Sequence, residues 1–136
     1  MKYRIIVSAI IEKDGSYLFG KKPKDIGPYP NTYHLLGGGI DPENESLVEG
    51  LEREIREEPG IILTDITPLS FAEADSVNKE GEVVHYFFHV FMTSYVSGEL
   101  IPGDDIAELI WVKKEDIASI PLPEPSQKVF NELGWI

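Results

Sequence analysis

Residues 50–61, GLEREIREEPGI, hold four carboxylates and two arginines in one short stretch. On a helix, Glu54, Glu57 and Glu58 lie three and four residues apart and share a face. At about 100° per residue they cover an arc of roughly 100°, bordering the apolar arc of Leu47, Val48, Leu51 and Ile55. Like charges so placed repel by about 0.2–0.5 kcal/mol per pair. A helix that needs only solubility would intersperse lysines, and this one has none. The other reading is that the carboxylates hold something positive. A hard divalent cation takes several oxygen ligands and mixes carboxylates with backbone carbonyls and water.

Most acid-rich helices are simply solvated, so this one needs support from its neighbours. Gly50 lies one turn before Glu54 on the acidic side, at a cost of about 1 kcal/mol relative to Ala. Its missing side chain leaves room for something to approach. The run Gly37-Gly38-Gly39 lies just upstream, where the backbone can turn sharply or come close to a ligand.

The helix spans about Glu45 to Glu58, with Asn44 as N-cap and acids in its first turn. Pro59 stops it at or before Glu58, and Gly60 suits the position past its end. Upstream, YRIIVSAIIE (3–12) reads as a buried strand, Lys13-Asp14-Gly15 as a turn, and SYLFGKK as the hairpin partner. KPKDIGPYPNTYH then forms a long surface loop. Downstream, 61–76 and 82–96 pair across a turn at Asn78-Lys79-Glu80-Gly81. A polar loop at Pro102-Gly103-Asp104-Asp105 leads to a short strand at 109–112. A short helix opens at Lys114 and a last one covers 124–133. No repeat, low-complexity tract or linker divides the chain, so residues 1–136 are expected to form one domain.

The 136 residues include 24 acids and 12 bases, a net charge of −12. Half of it falls in residues 41–58, where eight acids face Arg53 and Arg56. Duplex nucleic acid is repelled by such a surface. The one basic cluster, Lys21, Lys22 and Lys24, suits a small phosphate group, or else protects an exposed strand edge. There is no cysteine, which fits a reducing compartment. No apolar run reaches the ~18 residues of a spanning helix, and the N-terminus reads as a strand instead of a leader. The expectation is a cytoplasmic protein, away from membranes, monomeric or homodimeric. His85 and His89 share a strand face with Phe87 between them and are expected to pack or meet solvent. Tyr29, Tyr33 and the aromatics of 87–91 are able to stack on a base, although core packing suits the Phe residues better. Trp111 is expected in the core.

Gly39, Glu45 and the run Arg53-Glu54-Ile55-Arg56-Glu57-Glu58-Pro59-Gly60-Ile61 resemble the Nudix box, with all nine specified positions filled across 23 residues. The flanking glycine run, the paired strands on either side and the Trp-Val after an acidic loop are similar to the family over most of the chain. Leu36 stands where many members have proline, and Gly50 where alanine is usual.

The resemblance implies an α/β fold, the Nudix α/β/α sandwich with a mixed β-sheet. It implies Mg²⁺-dependent hydrolysis, with Mn²⁺ as a substitute, of the pyrophosphate bond in a nucleoside triphosphate or in a nucleoside diphosphate linked to another group. Carried over by position, Glu57, Glu58 and the Gly39 carbonyl are metal ligands. Glu54 is a ligand or the general base, and Arg53 orients a box carboxylate. Glu45 braces the loop against the helix. Lys21, Lys22, Gly38 and Gly39 are candidates for contacting the substrate. Asp104, Asp105 and Glu108 are candidates for a distal acid. Hydrolysis of ADP-ribose, removal of oxidised-guanine nucleotides and nucleotide sensing without turnover all remain open, the last being marked by degenerate boxes, whereas this box is intact.

Overall fold

A computed structural model describes residues 2–21, 31–57, 60–101 and 108–136. Seven strands form one mixed sheet: β1 (Lys2–Lys13), β2 (Ser16–Lys21), β3 (Tyr33–His34), β4 (Leu36–Gly39), β5 (Ile61–Val77), β6 (Val83–Gly98) and β7 (Glu108–Lys113). Helix α1 (Leu47–Glu57), a 3₁₀ helix (Lys114–Ser119) and α2 (Glu124–Glu132) complete the fold.

The β-branched run of β1 lies at the centre. It pairs in parallel with β6 from Lys2↔Val84 to Glu12↔Ser94. Its other edge carries two partners. Near the turn it pairs with β2 only at Glu12↔Tyr17 and Lys13↔Ser16, and then the two strands separate. Into that gap β4 pairs with β1 at Ile6↔Gly39 through Ala9↔Leu36, while β3 pairs with β2. β7 covers the far side of β2 along its length. Lys21 therefore lies in an internal strand, and the edge-protection reading fails for it.

Alternation along β1 sorts its side chains to two faces. Val7, Ala9 and Ile11 pack with Leu51 and Ile55 of α1. Ile10 packs with Val129 and Phe130 of α2. Helices thus cover both faces of the sheet. Trp111 is half-buried against the α1-side core and meets the Tyr95 ring edge-on at 5.9 Å.

Three local expectations change. The glycine run is a strand, β4, not a turn. Glycine is required there because a Cβ on Gly37 would sit 1.9 Å from the Val7 carbonyl oxygen of β1. The N-cap of α1 is Ser46, not Asn44. Its Oγ accepts the Glu49 N–H (3.1 Å), and the Glu49 carboxylate accepts the Ser46 N–H (2.9 Å). Val48 is exposed at the margin of the apolar arc, and α1 buries Gly50, Leu51 and Ile55 instead. The end of the helix is as expected: Gly60 has φ +75° and its N–H donates to the Ile55 carbonyl.

Candidate active site

One guanidinium gathers the acidic groups. Arg53, midway along α1, reaches back to the loop after β4 and along its own helix. Its Nε and Nη2 donate to the two oxygens of Glu45 at 2.9 and 2.8 Å, a bidentate pair. Nη1 donates to Glu54 at 2.9 Å and Glu57 at 3.3 Å. Nη2 also donates to the Gly39 carbonyl at 3.2 Å. Only a planar fork with five N–H groups serves so many acceptors at once.

The loop between β4 and α1 is built to present Glu45. Asp41 accepts the Glu43 N–H and the Asn44 amide on its side chain, and the Asn44 and Glu45 N–H groups on its carbonyl. In return the Asp41 N–H donates to Glu45 at 3.1 Å. Both Glu45 oxygens are therefore engaged. The Arg53 bonds, and after them the Asp41 N–H, hold its carboxyl at a pKa of about 2, against an ordinary 4.5. The same bonds, first from Glu45 and then from Glu54, push Arg53 further above its already high value.

Glu54 and Glu57 differ from Glu45. Each gives a single oxygen to Arg53. The Glu54 side chain is 18% exposed and that of Glu57 61%, so the acidic rim runs from the core margin outward. Gly38 makes room for Glu54: a Cβ there would lie 2.5 Å from Glu54 Oε2. Gly50 serves a different purpose from the one expected. Its Cβ would meet Ile40 Cγ2 at 2.3 Å and Glu45 Oε1 at 3.2 Å, so the space belongs to the protein's own loop.

The donors suit a hard divalent cation. They are all oxygens, and Glu54, Glu57 and the Gly39 carbonyl lie within hydrogen-bond reach of one guanidinium. Three carboxylates against one arginine leave two negative charges, which a divalent ion balances. Among the described residues no three acidic or imidazole side chains converge closely enough to hold an ion by themselves. Glu58, Lys22, Asp104 and Asp105 lie outside the described residues.

Lys21 lies apart from this cluster. It stands in register between Tyr33 and Glu108, with its Nζ 5.7 Å from the centre of the Tyr33 ring. Among the described residues, no ion pair links Glu108 to Arg53. His85 sits on an ion-paired stretch of the sheet, between Asp75 and Glu73, whose hydrogen bonds raise its pKa. Sequence reasoning missed Arg4. Its guanidinium lies 2.4 Å from the position a Gly39 Cβ would take, and only the β1–β4 register reveals that proximity.

Comparison with known proteins agrees with this geometry. The NUDIX domain profile matches residues 2–133. The nucleoside triphosphatase NudI of Escherichia coli O1:K1 / APEC is 33% identical over 142 aligned positions covering both chains completely. A MutT NUDIX hydrolase from Burkholderia pseudomallei superposes with a TM-score of 0.79 at 27% identity, covering 98% of this chain and 99% of that one. A MutT protein from Methanosarcina mazei Go1 gives 0.77 at 26% identity, covering 98% and 94%. With an intact box, a site assembled around its arginine and a profile match along nearly its whole length, the chain belongs to the Nudix (MutT-like) hydrolase family.

Proposed function

We propose that residues 1–136 form one Nudix domain that hydrolyses the pyrophosphate bond of a nucleoside triphosphate with the help of a divalent cation, Mg²⁺ or Mn²⁺. The observation that carries this reading is the Arg53 cluster, with its two half-free carboxylates beside a bare glycine strand. The likeness to NudI, named a nucleoside triphosphatase, favours a triphosphate over a diphosphate conjugate.

With Glu54 either a further ligand or the general base, Glu57, Glu58 and the Gly39 carbonyl would hold the cation. When bound, it neutralises phosphate charge and lowers the pKa of a coordinated water. The residues themselves have separate tasks. Glu45 stays ionised and fixes Arg53, which aims Glu54 and Glu57. Where Glu54 is not consumed as a ligand, it takes the proton of the attacking water. Gly38 keeps the strand bare, so that the carboxylates and the substrate can approach its backbone. An acidic chain at net charge −12 binds a polyphosphate only where cations offset the repulsion.

The test is release of phosphate and pyrophosphate from a panel of nucleoside triphosphates and diphosphate conjugates, with and without Mg²⁺. Metal-dependent pyrophosphate with a nucleoside monophosphate means cleavage next to the α-phosphate. Orthophosphate with a diphosphate means terminal cleavage. No release from any member, with tight nucleotide binding, overturns the hydrolase reading in favour of sensing.

A further inference from the structure

We propose that Arg4 is a phosphate-binding residue of this site, gripping the substrate's polyphosphate from the sheet face opposite the acidic helix. The inference rests on reading the site as one for polyphosphate.

The register of β4 on β1 makes the argument. Gly38 pairs with Val7, and its absent side chain would point at Glu54, on the α1 face. Gly39 pairs with Ile6, one residue on, so its absent side chain points through the other face. There the nearest group is Arg4 Nη2, 2.4 Å from the Cβ position. Gly39 is thus a partition one backbone thick. The carboxylate cluster touches its carbonyl through Arg53, and a second guanidinium lies against its Cα. Any side chain at 39 would displace that guanidinium.

Arg4 is exposed, and among the described residues no carboxylate pairs with it, in a chain with twice as many acids as bases. Arg53 is bound to three carboxylates, so its charge is already answered. Arg4 is the guanidinium with charge to spare beside the glycine strand. It also lines an open depression of about 360 Å³ together with Lys2, Tyr3, Asn78, Val84 and Tyr86, which leaves room for a ligand. A planar fork with no internal carboxylate matches phosphate oxygens in two-point geometry. Cations on the α1 side and Arg4 on the other would hold a phosphate chain crossing the edge of Gly39.

The experiment compares wild type with Arg4→Ala and Arg4→Lys in three readings: steady-state kinetics at saturating Mg²⁺, calorimetric binding of a non-hydrolysable methylene-bridged nucleoside triphosphate, and inhibition or binding by inorganic tripolyphosphate. Losing one charge-assisted contact should raise KM and weaken both ligands about 10- to 100-fold in Arg4→Ala. The kcat, the Mg²⁺ dependence and the melting temperature should stay near wild type, and Arg4→Lys should recover part of the affinity. Unchanged tripolyphosphate binding overturns the proposal. Weakened nucleotide binding with unchanged tripolyphosphate binding also overturns it, because the contact is then to the nucleoside. A lowered melting temperature that Lys restores without restoring affinity shows a structural role and overturns it as well. If wild type hydrolyses no nucleotide, the hydrolase reading fails separately, and the two binding measurements still decide Arg4.

Discussion

Gly50→Ala separates two readings of why the catalytic helix tolerates a glycine. If the glycine leaves room for a ligand, alanine should stabilise the helix by about 1 kcal/mol and obstruct binding. The structure makes the opposite prediction. The new Cβ would lie 2.3 Å from Ile40 Cγ2, far inside the ~3.5–4.0 Å of ordinary carbon contact. Ile40 is poorly placed to yield: it is stiff at χ1, and its N–H is tied to the Ile5 carbonyl at 3.1 Å. Overpacking of this kind costs about 1–3 kcal/mol. Subtracting the helix gain of about 1 leaves a net loss of about 0–2 kcal/mol, with a centre near 1. That corresponds to a fall in melting temperature of about 4 °C for a chain this size. A double-mutant cycle measured by urea unfolding isolates the clash. In an Ile40→Ala background Cγ2 is gone, and Gly50→Ala should change from neutral or harmful to stabilising, with a coupling of about 1–3 kcal/mol. Additive effects, or a stabilised single variant, would refute the packing argument.

Three further outcomes follow from the same geometry. Glu57→Gln should lower kcat by about 10²-fold or more with the fold intact, because its side chain is 61% exposed; a wild-type rate at saturating Mg²⁺ would remove Glu57 from the ligand set. Gly38→Ala should cut kcat by about 10-fold or more by pushing Glu54 off Arg53, at under about 1 kcal/mol of stability since only a side-chain tip must move; unchanged turnover would refute the close approach. Glu45 has its pKa depressed to about 2, so its contribution to stability is complete above about pH 4.5 and is lost as pH falls toward 2. Urea midpoints across that window should slope less in Glu45→Gln than in wild type, and equal slopes would break the assignment.

The make-up of the candidate site was legible because it is written in spacing. The interval from Gly39 to Glu45, and from there to Arg53, Glu54 and Glu57, fixes which groups one helix and one loop can bring together. The mixed sheet and the helices on both faces match what the family resemblance implied. What stayed hidden depends on register. Three consecutive glycines read as a sharp turn or a close approach to a ligand, yet here it is the neighbouring backbone of β1 that comes so close to Gly37 that no other residue fits. Lys21 could read as edge protection because nothing local shows that β7 lies outside it. Arg4 is 35 residues from Gly39 in the chain and meets it only through the β1–β4 pairing. The Ser46–Glu49 cap was visible as S-x-x-E, and the acids around Asn44 drew attention from it.

Within the box, hydrogen bonding divides identical residue types into different tasks. Glu45 spends both oxygens on Arg53 and the Asp41 N–H, so it has little left for a metal or a proton and serves as the fixed point. Glu54 and Glu57 each give Arg53 one oxygen only, which in the proposed reading leaves the other for chemistry. A lysine at 53 would keep the charge but lose the fork, and it would have to choose among four acceptors that Arg53 serves together. The arginine therefore acts as a template: it gathers two carboxylates and a carbonyl around one guanidinium. In the proposed reading, the cluster's leftover negative charge would attract a cation and would repel a substrate phosphate that arrives without one.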